Sequence, residues 1–154
     1  MALSDAELYG KHAEELTRFA AGLVGPQDAP DVVSAAVLAC VFSKGWPGVE
    51  NPRAYLFRCV LNEARRLHRT TSRRLAREQR AASSSAVDPP DVRPEILAAV
   101  MELSIRQRAV TVLTYWSDLD PSSIALLLGI SEGSVRRHLA RARSRLKERL
   151  DDNA

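Results

Sequence analysis

The stretch that most constrains the fold is residues 120–146, DPSSIALLLGISEGSVRRHLARARSRL. Asp120 followed by Pro121 is a helix-start signal, Gly129 is suited to end that helix, and Ser131 is suited to cap the next one. Apolar residues then recur at helical spacing through a segment with five arginines. Two helices joined by so short a turn, the second of them basic, are typical of the helix-turn-helix unit that inserts its second helix into the DNA major groove.

The last helix is predicted to have one apolar side and one basic side. At about 100° per residue its apolar positions fall together, and its polar positions fall opposite them. Ala140 is small enough for close approach to bases, arginine can contact guanine in a bidentate way, and the helix N-terminus at Ser131 can hold a phosphate. A solvated amphipathic helix is the alternative for this helix alone, but the preceding helix and glycine turn favour DNA binding. The predicted contact residues are Ser131, Ser134, Arg136, Arg137, Ala140, Arg141 and Arg145.

Charge is arranged in blocks along the chain, although the net charge is only +3. Residues 51–80 hold 9 basic and 2 acidic side chains, and residues 136–154 hold 7 basic and 3 acidic. The stretches 1–50 and 81–135 each hold 3 basic and 7 acidic side chains. Two separate basic blocks predict a polyanion contacted in two places, with acidic surfaces left for a protein partner. Solvated helix faces are the alternative explanation.

Helical periodicity and helix caps predict an all-α chain, since no run alternates as a strand would. Ser4 and Ser104 each begin a capping box, and Asn51 followed by Pro52 opens a long helix. The second helix is apolar on most sides, which predicts deep burial and an end at a left-handed Gly45. The predicted helices run from the Ser4 capping box to near Gly25, from around Asp28–Asp31 to Gly45, from Pro52 to about Arg80, over residues 94–103 and 105–117, from Pro121 to Gly129, and from Glu132 to about Leu150.

Residues 81–94, AASSSAVDPPDVRP, combine small polar residues with three prolines and predict a flexible linker. The predicted architecture is therefore two small helical domains, 1–80 and 95–154, the second a helix-turn-helix (winged-helix-like) DNA-binding domain. Each is near the lower size limit for independent stability, which favours docking onto a larger partner.

No arrangement of residues predicts catalysis. Cys40 and Cys59 lie in apolar helical contexts, which favours buried packing over a disulfide, and the three histidines are scattered. We therefore expect no catalytic residue, no metal, no cofactor and no enzymatic activity. Residues 1–23 carry charges throughout and have no apolar core, which predicts a cytoplasmic protein without membrane insertion. Tyr115 and Trp116 are predicted to be core, and Trp46 either stacks on a base or folds back onto its own domain.

Four segments resemble the extracytoplasmic-function (ECF) type of RNA polymerase sigma factor, in the sigma-70 family, and occur in that family's order. Residues 118–150 are similar to its C-terminal DNA-binding region, and residues 103–116, LSIRQRAVTVLTYW, to the helix before it. DAPDVVSAAVLACVF, residues 28–42, resembles its helix that binds the polymerase core, and PRAYLFRCVLNEARRLHR, residues 52–69, its promoter-melting helix. Departures from the family pattern at Ser34, Val37, Arg66, Ser104 and Ser123 indicate a divergent member.

The resemblance implies an alternative sigma factor of the minimal two-domain type, which binds core polymerase and directs it to promoters. It assigns the contact residues above to the minus-35 element. The minus-10 residues it implies are Trp46, Asn51, Arg53, Arg58, Asn62, Arg65, Arg66 and Arg69. A coiled coil of the largest polymerase subunit would be contacted by Asp31, Val32, Ser34, Ala35 and Leu38. Promoter DNA and the polymerase core are the implied partners, and the resemblance also allows an anti-sigma factor.

Two other functions stay open at this point. One is a helix-turn-helix transcription regulator with a helical dimerisation or sensing domain in its first half. The other is a sigma-like interaction protein that sequesters a partner. The basic block at residues 51–80 favours the sigma factor over the regulator, because a dimerisation domain needs no such charge.

Overall fold

The computed structural model describes residues 4–75 and 93–152, and within these ranges the chain is helical and contains no strand. The all-α prediction is confirmed. Residues 76–80 of the predicted third helix and residues 81–92 of the predicted linker lie outside the described residues. The elements are α1 (Asp5–Val24), α2 (Ala29–Val41), a 3-10 turn (Trp46–Gly48), α3 (Pro52–Leu75), α4 (Pro94–Met101), α5 (Ile105–Tyr115), α6 (Pro121–Leu128) and α7 (Glu132–Asp152).

The helix starts follow the predicted caps. In α1 the Ser4 hydroxyl accepts the Glu7 amide at 3.2 Å, and the Glu7 carboxylate accepts the Ser4 amide at 2.8 Å. The same reciprocal box opens α5, between Ser104 and Gln107. Asn51 caps α3 by accepting the Ala54 amide at 3.1 Å. Each cap satisfies an amide that the first helical turn leaves without a partner.

The predicted end of α2 is wrong. The helix ends at Val41, and Gly45 has a φ of −82°, so it is not a left-handed cap. The reason lies at Ser43, whose hydroxyl and amide both donate to the Cys40 carbonyl, at 2.8 and 3.1 Å. That carbonyl is therefore not left for a further turn of helix, and the chain bends into the 3-10 turn.

Both halves of the chain contribute to one continuous apolar core. The first half packs α1, α2 and α3 together, with the Phe19 and Phe57 rings 4.9 Å apart. The second half packs α5, α6 and α7, with α4 across α5 and α7. In addition α1 lies against α5 and α3 against α6, so the buried cluster runs from Leu16 to Leu139 without a break.

Cys40 and Cys59 are free thiols that lie next to each other between α2 and α3. Cys40 is fully buried, and burial raises the pKa of both thiols. A raised pKa suppresses the thiolate that redox chemistry needs, so this environment favours the predicted packing role.

The prediction that Tyr115 and Trp116 form core is wrong, because both are exposed. They lie at the end of α5, beyond the turns that pack against α1 and α7. The Tyr115 hydroxyl instead accepts a hydrogen bond of 2.7 Å from Arg143, whose guanidinium also lies over the ring.

Candidate functional site

The α6–turn–α7 unit holds α7 by its apolar side. Asp120 caps α6 by accepting the Ser123 amide at 2.8 Å, and Gly129 ends that helix with a φ of +69°. Ser131 then caps α7 by accepting the Ser134 amide at 3.1 Å. Val135, Leu139 and Ala142 are buried, so the opposite side of α7 is directed to solvent. With 21 residues, α7 is about 31 Å long, enough to lie along a stretch of major groove.

The solvent side of α7 presents the predicted minus-35 residues as one arginine face. Arg136, Arg137, Ala140, Arg141 and Arg145 are all exposed. Arg137 donates to the Ser134 hydroxyl at 3.0 Å, and Arg136 makes only a long pair with Glu132 at 3.4 Å. No ion pair holds Arg141 among the described residues. The face is therefore positively charged and free to meet an anionic ligand.

His138 lies beside this face and adds no charge to it near neutral pH. Burial, and then the positive charges of Arg106, Arg141 and Arg137, lower the pKa of its imidazole. Its Nδ1 is buried with no hydrogen-bond partner among the described residues.

A second arginine face lies on α3. Arg58, Asn62, Arg66 and Arg69 are exposed and Arg65 is half-buried, so five of the predicted minus-10 residues follow one exposed stretch of the helix. Arg66 makes only a distant pair with Glu63, at 3.8 Å. The Arg58 guanidinium differs from the others, since it donates to the Leu126 carbonyl in α6 at 2.9 Å.

The other three predicted minus-10 residues are engaged within the first half. Trp46 donates its indole N–H to Asp5 at 2.7 Å and lies against Tyr55, so it folds back onto its own half. Arg53 makes a two-point pair with Glu15, at 2.8 and 3.0 Å. Asn51 is the cap of α3. The polar groups of these three side chains therefore bond within the first half of the chain.

The exposed side of α2 carries four of the five predicted polymerase-binding residues. Asp31, Ser34, Ala35 and Leu38 face solvent, but Val32 is only 4% exposed. Val32 is thus a core residue, because it lies on the side of α2 that packs against α1 and α3. The expectation that α2 is deeply buried on most sides is wrong.

Sequence reasoning missed Phe42 on this α2 surface. Its side chain is 81% exposed, and Leu38, one helical turn earlier, is 58% exposed. Two large apolar side chains adjacent in solvent are typical of a protein-binding surface. The sequence did contain a signal for Phe42, because it follows Leu38 by four residues and residues at that spacing lie on the same side of a helix.

The described residues contain no group of metal-ligating side chains that could form a centre. Nor does any helix within residues 4–75 and 93–152 combine the length and hydropathy needed to cross a membrane.

A helical chain with a helix-turn-helix unit and two arginine faces has the features of a DNA-binding transcription protein. Residues 93–146 match the family described as Sigma-70, region 4. The RNA polymerase sigma-E factor of Streptomyces antibioticus is 32% identical over 155 residues, covering 94% of this chain and 83% of the relative. The sigma-E factor of Streptomyces coelicolor is 31% identical, covering 89% and 80%. The chain therefore belongs to the sigma-70 family of RNA polymerase sigma factors.

Solved structures show the same fold. The sigma factor RpoE of Bartonella quintana, in complex with the anti-sigma factor NepR, superposes with a TM-score of 0.69 at 23% identity, covering 95% of this chain and 96% of that one. CnrH, in complex with the cytosolic domain of CnrY, gives a TM-score of 0.63 at 27% identity, covering 97% and 89%.

Proposed function

We propose that this alternative sigma factor binds core RNA polymerase through the exposed side of α2 and directs it to promoters read by α7 and α3. The observation that carries the proposal is that two arginine faces and an apolar α2 surface are all exposed in a chain related to sigma factors over nearly its whole length. A regulator with a dimerising first half would need no arginine face on α3.

The α7 face is suited to the minus-35 element. Arg137 and Arg141 lie centrally on it, where bidentate contacts to guanine O6 and N7 contribute about 1 to 3 kcal/mol of discrimination each. Ala140 offers no side chain to obstruct the groove. Ser131 and the free amides of the first turn of α7 are placed to hold a phosphate, and Arg145 to contact one farther along.

The α3 face is suited to a strand that has left the duplex at the minus-10 element. Unstacking a base costs a few kcal/mol, and a row of cations offsets this cost by holding the phosphates of the separated strand. Arg58, Arg65, Arg66 and Arg69 supply that row, and Asn62 lies among them with an amide that can hydrogen-bond a base edge.

The exposed α2 surface supplies the contact with core polymerase. Leu38 and Phe42 offer apolar area, and Asp31 and Ser34 give it a polar rim, an arrangement common in protein interfaces. Val32 is left out of this surface because it is core. An anti-sigma factor is a further expected partner, since the sigma factor RpoE of Bartonella quintana was solved bound to one.

Run-off transcription tests the proposal. Added to purified core polymerase on fragments of its own genome, the protein should produce a transcript that starts at a discrete site. The Arg137→Ala/Arg141→Ala variant should yield at least tenfold less of that product, because the two contacts together contribute about 2 to 6 kcal/mol, and it should keep its affinity for core. The Asp31→Lys/Leu38→Ala variant should lose core affinity and keep its binding to duplex DNA.

Tight DNA binding with no run-off product would overturn the proposal in favour of a regulator. Tight core binding with no product on any fragment would point to a protein that sequesters polymerase. Loss of core binding in the α7 variant would show that the two surfaces had been assigned wrongly.

A further inference from the structure

Arg143 and Tyr115 form a joined pair that belongs to none of the surfaces assigned above. Arg143 lies on α7 and donates from its Nε to the Tyr115 hydroxyl, at the end of α5, at 2.7 Å. Its guanidinium carbon lies 5.7 Å from the centre of the Tyr115 ring. Tyr115 is 49% exposed, and the next residue, Trp116, is 40% exposed. Packing in the core therefore does not explain this aromatic end of α5 or the arginine that lies against it.

The positive charge of this pair is not compensated. Arg143 is exposed, and no carboxylate lies within ion-pair distance of it in residues 4–75 and 93–152. The contact with Tyr115 uses only Nε, so both Nη groups remain as donors. The Tyr115 oxygen accepts that hydrogen bond and keeps its own proton to donate. Several donors around one fixed cation are suited to an anion with several oxygens, such as a phosphate.

The position of Arg143 on α7 places the pair beside the DNA groove. Arg143 follows Arg136 by seven residues, which is two helical turns and about 10 Å along the same side of the helix. Arg145, the phosphate contact proposed above, lies about 200° around the helix from Arg143. A helix in the major groove, which is about 12 Å wide, has a phosphate backbone along each of its two sides. Arg143 and Arg145 are therefore placed for opposite backbones.

The turn between α5 and α6 gives a reason for a cation at this point. Asp118 and Asp120 in this turn are exposed, and they would repel a DNA backbone that passes the end of α5. The Asp120 carboxylate is held by the Ser123 amide as the cap of α6. The hydrogen bond to Tyr115 brings the Arg143 guanidinium to the same end of α5, where its charge opposes this repulsion.

We propose that Arg143, held by Tyr115, binds one phosphate of duplex DNA on the side of α7 opposite Arg145; we name this pair the phosphate clamp. The proposal rests on the proposed function and adds two residues to the DNA contacts of the second half. Tyr115 is a positioning residue, because its ring and hydroxyl hold the guanidinium in one orientation and reduce the side-chain entropy lost on binding. A phosphate carries no sequence information, so the clamp contributes affinity and orientation without selecting bases.

The salt dependence of duplex binding tests the phosphate clamp. The affinity of the full-length protein is measured between about 50 and 200 mM salt on two duplexes of unrelated sequence. Arg143→Met should reduce the slope of log affinity against log salt by about 0.9, because one fewer phosphate is neutralised. The affinity should fall by the same factor on both duplexes, since no base is read. Arg143→Lys keeps the charge and should keep the slope.

Arg149→Met is the matched control for Arg143→Met. Arg149 lies on the same helix, but its guanidinium donates to Glu102 at the end of α4, at 2.6 Å, so its loss should leave the slope unchanged. Tyr115→Phe keeps the ring beside the guanidinium and removes the hydroxyl. It should keep the slope and weaken binding about fivefold, the effect of one hydrogen bond. Circular dichroism should show equal helix content in all variants.

An unchanged slope in Arg143→Met, or an equal reduction in Arg149→Met, would overturn the phosphate clamp. A loss of affinity on only one of the two duplexes would overturn it as well, because it would indicate a base contact. Wild-type affinity in Tyr115→Phe would contradict the positioning role of Tyr115. If the slope falls as expected but the wild type gives no run-off transcript with core polymerase, the proposed function fails and the clamp stands. A discrete transcript together with an unchanged slope in Arg143→Met would mean the reverse.

Discussion

Arg53 and Arg58 lie on the same helix, five residues apart, in opposite surroundings. Arg53 pairs with Glu15 at two points and lies 5.3 Å from the centre of the Phe57 ring, whereas Arg58 extends to the other half. The hydrogen bond to Glu15 raises the pKa of Arg53 against the effect of burial. Burial opposes ionisation of Glu15, but Arg53 and His12 outweigh it and lower the pKa of the Glu15 carboxyl. One arginine therefore stabilises the first half, and the other is available to a ligand.

Arg53→Met should reduce stability without reducing DNA binding. Methionine keeps an apolar chain over Phe57 but loses the ion pair, which is part-exposed and contributes about 1 kcal/mol. The lowered pKa of Glu15 means that this contribution is present above the unfolded pKa of 4.5 and is lost as pH falls through the folded value. Urea unfolding should therefore show a smaller difference in the free energy of unfolding between variant and wild type at acid pH than at pH 7.

Arg69→Met is the matched control for Arg53→Met. Arg69 is exposed on the same helix, so its loss should leave stability unchanged. It should also reduce the slope of log affinity against log salt for a minus-10 single strand by about 0.7. If Arg69→Met reduced stability and Arg53→Met reduced the salt slope, the assignment of Arg53 to stability and of Arg69 to DNA binding would be refuted.

His138 should make the protein less stable at mildly acid pH. Its folded pKa lies below the unfolded value of 6.5, through burial and then through Arg106, Arg141 and Arg137. As pH falls below 6.5, the unfolded state takes up the proton first, so the free energy of unfolding falls until pH reaches the folded pKa. His138→Gln should flatten this dependence between pH 7 and 5, with the other two histidines unchanged in both proteins. Equal slopes in wild type and variant would contradict the assignment.

The helices show what the sequence could and could not predict. The start of a helix is decided locally. A cap side chain accepts the amide three residues ahead at Ser4, Asn51, Ser104, Asp120 and Ser131, so the pattern is readable in a short window. The exposed side of α2 was not readable from its pattern alone, because that helix is apolar on most sides and only its packing decides which residues face solvent. The family resemblance placed four of its five residues there and misplaced Val32. The hydrogen bonds from Arg58 to Leu126 and from Arg108 to Leu23 join residues 68 and 85 positions apart and follow no local pattern.

Removing a single helix cap should lower the free energy of unfolding by a small amount. Ser104→Ala removes the hydroxyl that accepts the Gln107 amide at 3.2 Å and should lower the free energy of unfolding by about 1 kcal/mol. Ser122→Ala is the control, since Ser122 is exposed in the first turn of α6 and its hydroxyl makes no hydrogen bond within the described part of the chain. Thermal or urea unfolding measures both. A loss of similar size in the two variants would show that the capping box contributes nothing specific.

At the scale of the whole molecule, the continuous core makes stability a shared property of the two halves. The helices α1 and α3 lose partners if α5 and α6 unfold, and the reverse holds as well. The chain has two tryptophans, Trp46 in the first half and Trp116 in the second. Fluorescence of Trp116→Phe and Trp46→Phe variants therefore reports each half separately.

We expect both tryptophans to report the same unfolding midpoint in urea, because a two-state transition gives coincident probes. Leu113→Ala should move both midpoints together, since Leu113 is fully buried in the shared core and truncation there costs about 2 to 5 kcal/mol. Leu126→Ala is the same change at a side chain that is 65% exposed, so it should change the free energy of unfolding by less than about 0.5 kcal/mol and leave both midpoints nearly unchanged. If Leu113→Ala shifted only the Trp116 signal, the halves would be independent in stability, and the apolar contact between α1 and α5 would not couple them.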